Sequence, residues 1–229
     1  MITKNFLVKV CGMRDSENIR EVEQLFTFHS SLFTPLMGFI FWPKSSRYVS
    51  KRPDYLPQKC KRVGVFVDAT IEDILQHIAD YQLDLVQLHG HESPDFIRQL
   101  RALCGDSIAI IKAFNIATKE DLEATAPYEG LVDYFLFDTK GPSVGGNGEK
   151  FDWSVLSDYN GDTPFLLSGG IGPDDAETLH SQLSARLRRL ARPRTLNSHC
   201  VGIDLNSRFE TEPGIKDIVK LKTFLNYGK

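Results

Sequence analysis

Three side chains able to do acid–base or ionic chemistry stand where short apolar runs of this 229-residue chain give way to polar residues. Cys11 follows the run FLVKV (6–10) and precedes Gly12. A thiol placed there ionises if a positive group or a helix N-terminus lies nearby, and then works as a base or a nucleophile. Buried without such a neighbour, it is a small hydrophobe. Asp138 closes the apolar run VDYFLF (132–137). Such surroundings favour the protonated carboxyl, the form a general acid needs, although the same carboxyl would also suit bracing of the loop after it. Arg47, beyond Lys44, supplies a fixed cation. Two loops suit an anion. SGGIG (168–172) has small residues that let backbone N–H groups approach one, and DLNSR (204–208) adds a hydroxyl and a cation. The competing reading of the first is a tight turn that only needs positive φ. His89 and His91 flank Gly90 without further ligands at a telling distance, so a metal is not expected. His89, next to Gln87, is read as a hydrogen-bonding wall residue and His91 as a surface residue.

Eight short runs must position these residues: 6–10, 36–41, 62–67, 84–88, 108–114, 132–137, 164–168 and 200–205. Most are apolar on both parities, as strands buried on both faces of a parallel sheet are. Amphipathic patterns lie between them. Asp15 precedes Ile19, Val22 and Phe26; Thr70 and Asp73 begin a second pattern; Ser93 and Pro94 begin a third. Gly172-Pro173 opens a stripe through Ala176, Leu179, Leu183, Leu187 and Leu190, and Pro213 opens the last, with Ile218, Leu221 and Leu225. Residues 42–61 hold little helical pattern. Eight strands in about 230 residues match an α/β protein of one domain, a (β/α)8 TIM barrel over 1–229, with its active site at the C-terminal strand ends. In that fold the seventh and eighth loops are the usual phosphate site, which strengthens the anion reading. The glycine-rich loop 139–153 looks like a mobile cover. The basic stretch 186–199 is read as a solvated helix end and loop.

Composition narrows the function class. Apolar residues make up 41% and charged residues 25% of the chain, which excludes a disordered tail or a coiled coil. A net charge of -3 offers no long-range attraction for nucleic acid or an anionic membrane. No run of about 18 apolar residues exists to span a bilayer, and MITKNFLVKVCGM is too short and alternating for a signal peptide. Cys11, Cys60, Cys104 and Cys200 are scattered, as reduced thiols of a cytoplasmic protein would be. Nothing in the pattern decides between monomer and homodimer.

Taken together, the motifs resemble phosphoribosylanthranilate isomerases, the barrel enzymes of tryptophan biosynthesis. The matching stretches are KVCGMR (9–14), GFIFWPKSSRYVS (38–50), VQLHGHES (86–93), LFDTKGPSVGGNGEKFDW (136–153), LSGGIGPDDA (167–176) and GIDLNSRFETEPGIKD (202–217). The resemblance implies an Amadori rearrangement of N-(5-phosphoribosyl)anthranilate to 1-(2-carboxyphenylamino)-1-deoxyribulose 5-phosphate, without metal or cofactor. It further implies Cys11 as base, Asp138 as acid, Arg47 as holder of the anthranilate carboxylate, and Gly169, Gly170, Asn206 and Ser207 as the phosphate site. Many relatives carry glycine at the place of Arg208 and serine at the place of Asn206. The segment TFHSSLFTPLMGF (27–39) lacks the family's usual Gly-Ala-Asp turn.

Two rival readings remain at this point. A related phosphosugar barrel, an indole-glycerol-phosphate synthase, would use lysines at strand ends, and Lys9 and Lys112 lie in strands. A barrel that serves only as a binding or assembly subunit would need none of Cys11, Arg47 and Asp138.

Overall fold

The computed structural model describes residues 6–28, 33–139, 153–179 and 199–226. Eight parallel strands close into a barrel in chain order: β1 (Leu7–Val10), β2 (Thr34–Ile40), β3 (Lys61–Phe66), β4 (Leu85–Leu88), β5 (Ala109–Ile116), β6 (Tyr134–Thr139), β7 (Phe165–Ser168) and β8 (Cys200–Leu205). Strand β1 closes the ring, with Lys9 opposite Leu36 of β2 on one side and Asp204 of β8 on the other. The eight apolar runs are these eight strands, displaced by at most two residues at their ends.

Two separate apolar clusters explain why the runs are hydrophobic on both parities. Val8, Val10, Met37, Phe39, Phe135, Phe137, Phe165 and Leu167 belong to the large outer cluster shared with the surrounding helices. Leu7, Leu36, Val63, Leu85, Ile111, Leu136 and Leu166 form a second cluster, the filling of the barrel interior. Two residues further along the same parity the chemistry changes. Leu7 gives way to Lys9 and then Cys11, Leu85 to Gln87 and His89, Leu136 to Asp138, and Leu166 to Ser168. An apolar floor thus carries a polar upper layer at the C-terminal end of the barrel.

Caps set the helix starts. Asp15 accepts from the N–H groups of Glu17 and Asn18 at the head of α1 (Ser16–Thr27). Thr70 accepts from Asp73 N to start α2 (Ile71–Tyr81), and Ser93 from Phe96 N to start α3 (Pro94–Cys104). Between β2 and β3, residues 42–60 contain no helix, in line with their pattern. The connections after β5 and β6 are 3-10 segments, Glu120–Tyr128 with Pro127 inside it and Trp153–Asp158. After β7 a 3-10 turn (Pro173–Asp175) leads into helical residues 176–179. Leu183, Leu187 and Leu190, the loop residues 140–152 and the basic residues 186–198 lie outside the described residues.

The last helix starts later than Pro213. Residues Glu210–Glu212 and Ile215–Lys216 pair antiparallel, with Pro213 and Gly214 at the turn. Asp217 then caps the helix Ile218–Leu225 by accepting from Lys220 N. Proline fixes φ in a turn as readily as in a first helical turn, and here the left-handed Gly214 beside it (φ 89°) decides for the turn. Among the described residues no helix is long and apolar enough to cross a membrane.

Candidate active site

A cavity of about 190 Å³ opens among the C-terminal strand ends. Its walls bring together every site residue predicted from the sequence except Arg47: Cys11, Gln87, His89, Asp138, Gly169, Gly170, Asn206 and Ser207, joined by Ser168, Asp204 and Arg208. Strand β1 delivers Cys11, whose N–H donates to the Leu205 carbonyl at 2.9 Å, so the thiol is fixed by the β1–β8 seam. Strand β6 delivers Asp138, which pairs in register with Ser168 of β7.

Arg47 stands at the rim. Its stem crosses Gly12, where a Cβ would lie 2.7 Å from Arg47 Cδ; Gly12 also has φ 80°, so glycine meets both demands of this corner. The guanidinium is held by Glu210, with Nε 2.9 Å from Oε1 and Nη2 2.6 Å from Oε2. Glu210 Oε1 also accepts from Lys216 Nζ at 2.6 Å, and Lys216 reaches Asn206 Oδ1 at 2.8 Å. Burial works against the Glu210 carboxylate, but its bonds to Arg47 and Lys216 outweigh that and hold it below the usual carboxylate range. Burial pushes the Lys216 ammonium down, against the pull of Glu210.

Deeper in the barrel, Lys9 donates to both oxygens of Asp204 at 3.1 Å. Burial alone would lower the Lys9 ammonium, yet Asp204 and Cys11 more than offset it and hold it above its ordinary value. Burial pushes the Cys11 thiol up; Lys9 opposes this and Asp204 adds to it.

On the β4 side, the Gln87 Nε2 and His89 Nδ1 atoms are 2.9 Å apart, and His89 Nε2 lies 3.8 Å from Asp138 Oδ2. Gln87 Oε1 is buried without a partner among the described residues. The turn after His89 is pinned from below. Lys112 Nζ donates to Glu92 Oε2 at 3.1 Å and to the Gly90 carbonyl at 2.8 Å, while Glu92 Oε1 accepts from the N–H groups of Asp68 and Gly90. His91 bonds Asp68 on the exposed surface. At the opposite wall Gly169 and Gly170 take left-handed φ of 92° and 68°. Arg208 lies against the next glycine along, since a Cβ on Gly172 would be 3.2 Å from its Nε. Arg208 meets no carboxylate within 4 Å among the described residues.

The family model for N-(5'-phosphoribosyl)anthranilate isomerase matches residues 8–227. The chain belongs to that family. A Parabacteroides distasonis protein named N-(5'-phosphoribosyl)anthranilate isomerase is 48% identical, with 96% of this chain and 91% of that protein covered. Its namesake from Phocaeicola vulgatus is 45% identical over 97% of this chain and 98% of its own length. Among solved structures, phosphoribosyl anthranilate isomerase from Thermotoga maritima superposes with a TM-score of 0.70 at 30% identity, covering 98% of this chain and 97% of that one. A phosphoribosyl anthranilate isomerase in complex with reduced 1-(o-carboxyphenylamino)-1-deoxyribulose 5-phosphate superposes with a TM-score of 0.68 at 28% identity, with 98% and 97% covered.

The sequence reading did not assign Glu210, Lys216, Glu92 or the Lys9–Asp204 pair to the site. A signal was available for the pair. Lys9 and Asp204 are charged residues inside apolar strand runs, and a buried charge needs a partner. Which partner emerges only when β1 and β8 meet.

Proposed function

We infer that this barrel converts N-(5-phosphoribosyl)anthranilate into 1-(2-carboxyphenylamino)-1-deoxyribulose 5-phosphate by an Amadori rearrangement. The observation that carries the reading is that Cys11 and Asp138 line one cavity whose far wall is the glycine loop 169–170 with Ser207 and Arg208. A base, an acid and an anion site around one small space suit a sugar that carries a phosphate.

The assignments follow from position. The Asp138 carboxyl gives its proton to the furanose ring oxygen, the C1′–O4′ bond breaks, and the nitrogen lone pair closes the C1′=N bond of an open-chain Schiff base. The Cys11 thiolate then takes the C2′ proton. The C–H electron pair becomes the C1′=C2′ bond and the iminium pair returns to nitrogen, giving an enolamine. Transfer of the O2′ proton to solvent and of a proton to C1′ yields the ketone. Bonds and electrons balance within the substrate. Arg47, with Nε and one Nη2 proton given to Glu210, presents its remaining N–H edge to the anthranilate carboxylate. Gln87 and His89 line the sugar's side of the cavity, and Gly169, Gly170, Asn206 and Ser207 surround the phosphate, with Arg208 as an added cation. The whole chain, 1–229, acts as one domain in this reading.

The rival synthase chemistry asks for mobile lysines, whereas Lys9 and Lys112 are buried in ion pairs with Asp204 and Glu92. The test is turnover: purified protein should convert phosphoribosylanthranilate into an isomer of equal mass bearing a ketone. A folded protein that leaves the substrate unchanged overturns the reading.

A further inference from the structure

Lys9 is fully buried at 0% exposure, below the cavity and above the apolar floor of the barrel. Such a charge costs desolvation, and a buried ion pair is often no more stabilising than apolar residues of the same volume. Its placement therefore calls for a reason beyond holding β1 to β8. Two of its three donors go to the Asp204 oxygens at 3.1 Å, and the charge of the nearby Cys11 thiol helps hold its ammonium above the ordinary value. The two side chains converge over Gly38 of β2, where a Cβ would lie 2.9 Å from Cys11 Sγ and 3.1 Å from Lys9 Cε. Any larger residue would force them apart.

Building on the reading of Cys11 as the base, we infer that Lys9, held in place by Asp204, is the fixed counter-charge of the Cys11 thiolate and thereby a positioning residue of the rearrangement. It acts through the thiol and does not touch the substrate. Among the charges facing Cys11, Lys9 acts most strongly on the thiol and Lys216 acts more weakly in the same direction. Lys216, on the hairpin after β8, and Arg47, on the loop after β2, are both bound to Glu210. His89 and Asp138 stand across the cavity, and Asp204 is anionic and works against a thiolate. Burial holds the thiol above its ordinary value even with Lys9 present, and Lys9 is the largest influence that lowers it, ahead of Lys216.

Lys9→Met alone would leave Asp204 as an uncompensated buried carboxylate and endanger folding. The decisive variant is therefore Lys9→Met/Asp204→Asn, which removes both charges. Alkylation of Cys11 by iodoacetamide is followed against pH, with the site read by mass spectrometry so that the other cysteines do not count. The kcat/KM profile is measured alongside. The expected result is a Cys11 titration moved up, because Lys9 weighs more on the thiol than the Asp204 removed with it, which slows alkylation and kcat/KM below that titration by about tenfold for each pH unit moved, with KM within about threefold of the parent. An unchanged Cys11 alkylation profile in a folded double variant overturns the inference and leaves the pair a structural tie. A shifted alkylation profile with an unmoved kcat/KM limb instead overturns Cys11 as the base, and with it any part for Lys9 in the rearrangement.

Discussion

Glu210 grips the guanidinium of Arg47 along one edge, Nε to Oε1 at 2.9 Å and Nη2 to Oε2 at 2.6 Å, across 163 positions of sequence. This contact aims the cation. An arginine on the turn-rich segment after β2 would otherwise sample many rotamers, and only the edge left by Glu210 is offered to a ligand. Glu210 also takes Lys216 Nζ at 2.6 Å, so one carboxylate orders two cations at the mouth of the barrel.

Glu210→Gln should therefore weaken substrate binding more than chemistry. A lost charge-assisted contact of this type is worth about 1.5–3 kcal/mol, so KM is expected to rise roughly tenfold or more with kcat within about threefold. The same variant tests stability. Because the folded state holds Glu210 below its usual range, the pair stabilises above the unfolded carboxylate's titration and loses that contribution as pH falls through the folded value. Wild type should then melt above Glu210→Gln at neutral pH and approach it in acid. An equal gap in Tm at pH 7 and pH 3 would contradict the ion pair, and an unchanged KM would contradict the aiming of Arg47.

Cys11→Ala removes the proposed base while subtracting a single sulfur from a buried position. A general base contributes about 10²–10⁴-fold, so kcat should fall by that order with an unaltered melting curve. A loss smaller than about fivefold would take Cys11 out of the mechanism.

Much of this was readable from residues alone, and the failures have two causes, one local and one long-range. Strand positions followed from runs buried on both faces, and Cys11, Asp138 and the glycine loop followed from standing at their ends. Pro213 was misread because a proline followed by a glycine serves a turn as well as a helix start, and the choice rests on the left-handed Gly214 and the Asp217 cap. Glu210, 163 positions from Arg47, and Asp204, 195 from Lys9, acquire partners only through closure of the barrel. Local pattern carries no trace of such a pairing beyond the anomaly of a charge in an apolar run.

Arg208 is where this chain adds something to the glycine loop. Its guanidinium lies on Gly172 at the cavity wall and is exposed, so its contribution to a bound phosphate is partly screened. Arg208→Gln should raise KM about three- to tenfold at low salt and less at high salt, and should weaken competitive inhibition by inorganic phosphate by a similar factor. Equal phosphate inhibition in both proteins would place Arg208 outside the site. Absence of phosphate inhibition in the wild type would instead count against the glycine loop as the phosphate seat.

In the proposed mechanism Asp138 carries the step most sensitive to charge. Ring opening needs a proton on the leaving oxygen as the C1′–O4′ bond stretches, and Asp138 is the carboxyl that β6 delivers to the cavity, with His89 Nε2 3.8 Å from its Oδ2. An amide of the same shape keeps contacts that a carboxamide can make but has no acidic proton to give. Asp138→Asn should thus lose most of kcat and keep KM within about threefold, the pattern of an interaction used in the transition state and not in binding. The alkaline limb of the kcat profile, which reports the acid in the substrate complex, should vanish or move in the variant. His89→Gln separates the neighbour from the acid: if His89 only orients the carboxyl, kcat should drop by less than in Asp138→Asn while that limb persists. Should Asp138→Asn retain more than about a tenth of the parent kcat, a different group protonates the ring oxygen, and Asp138 serves only to order the chain that leaves β6.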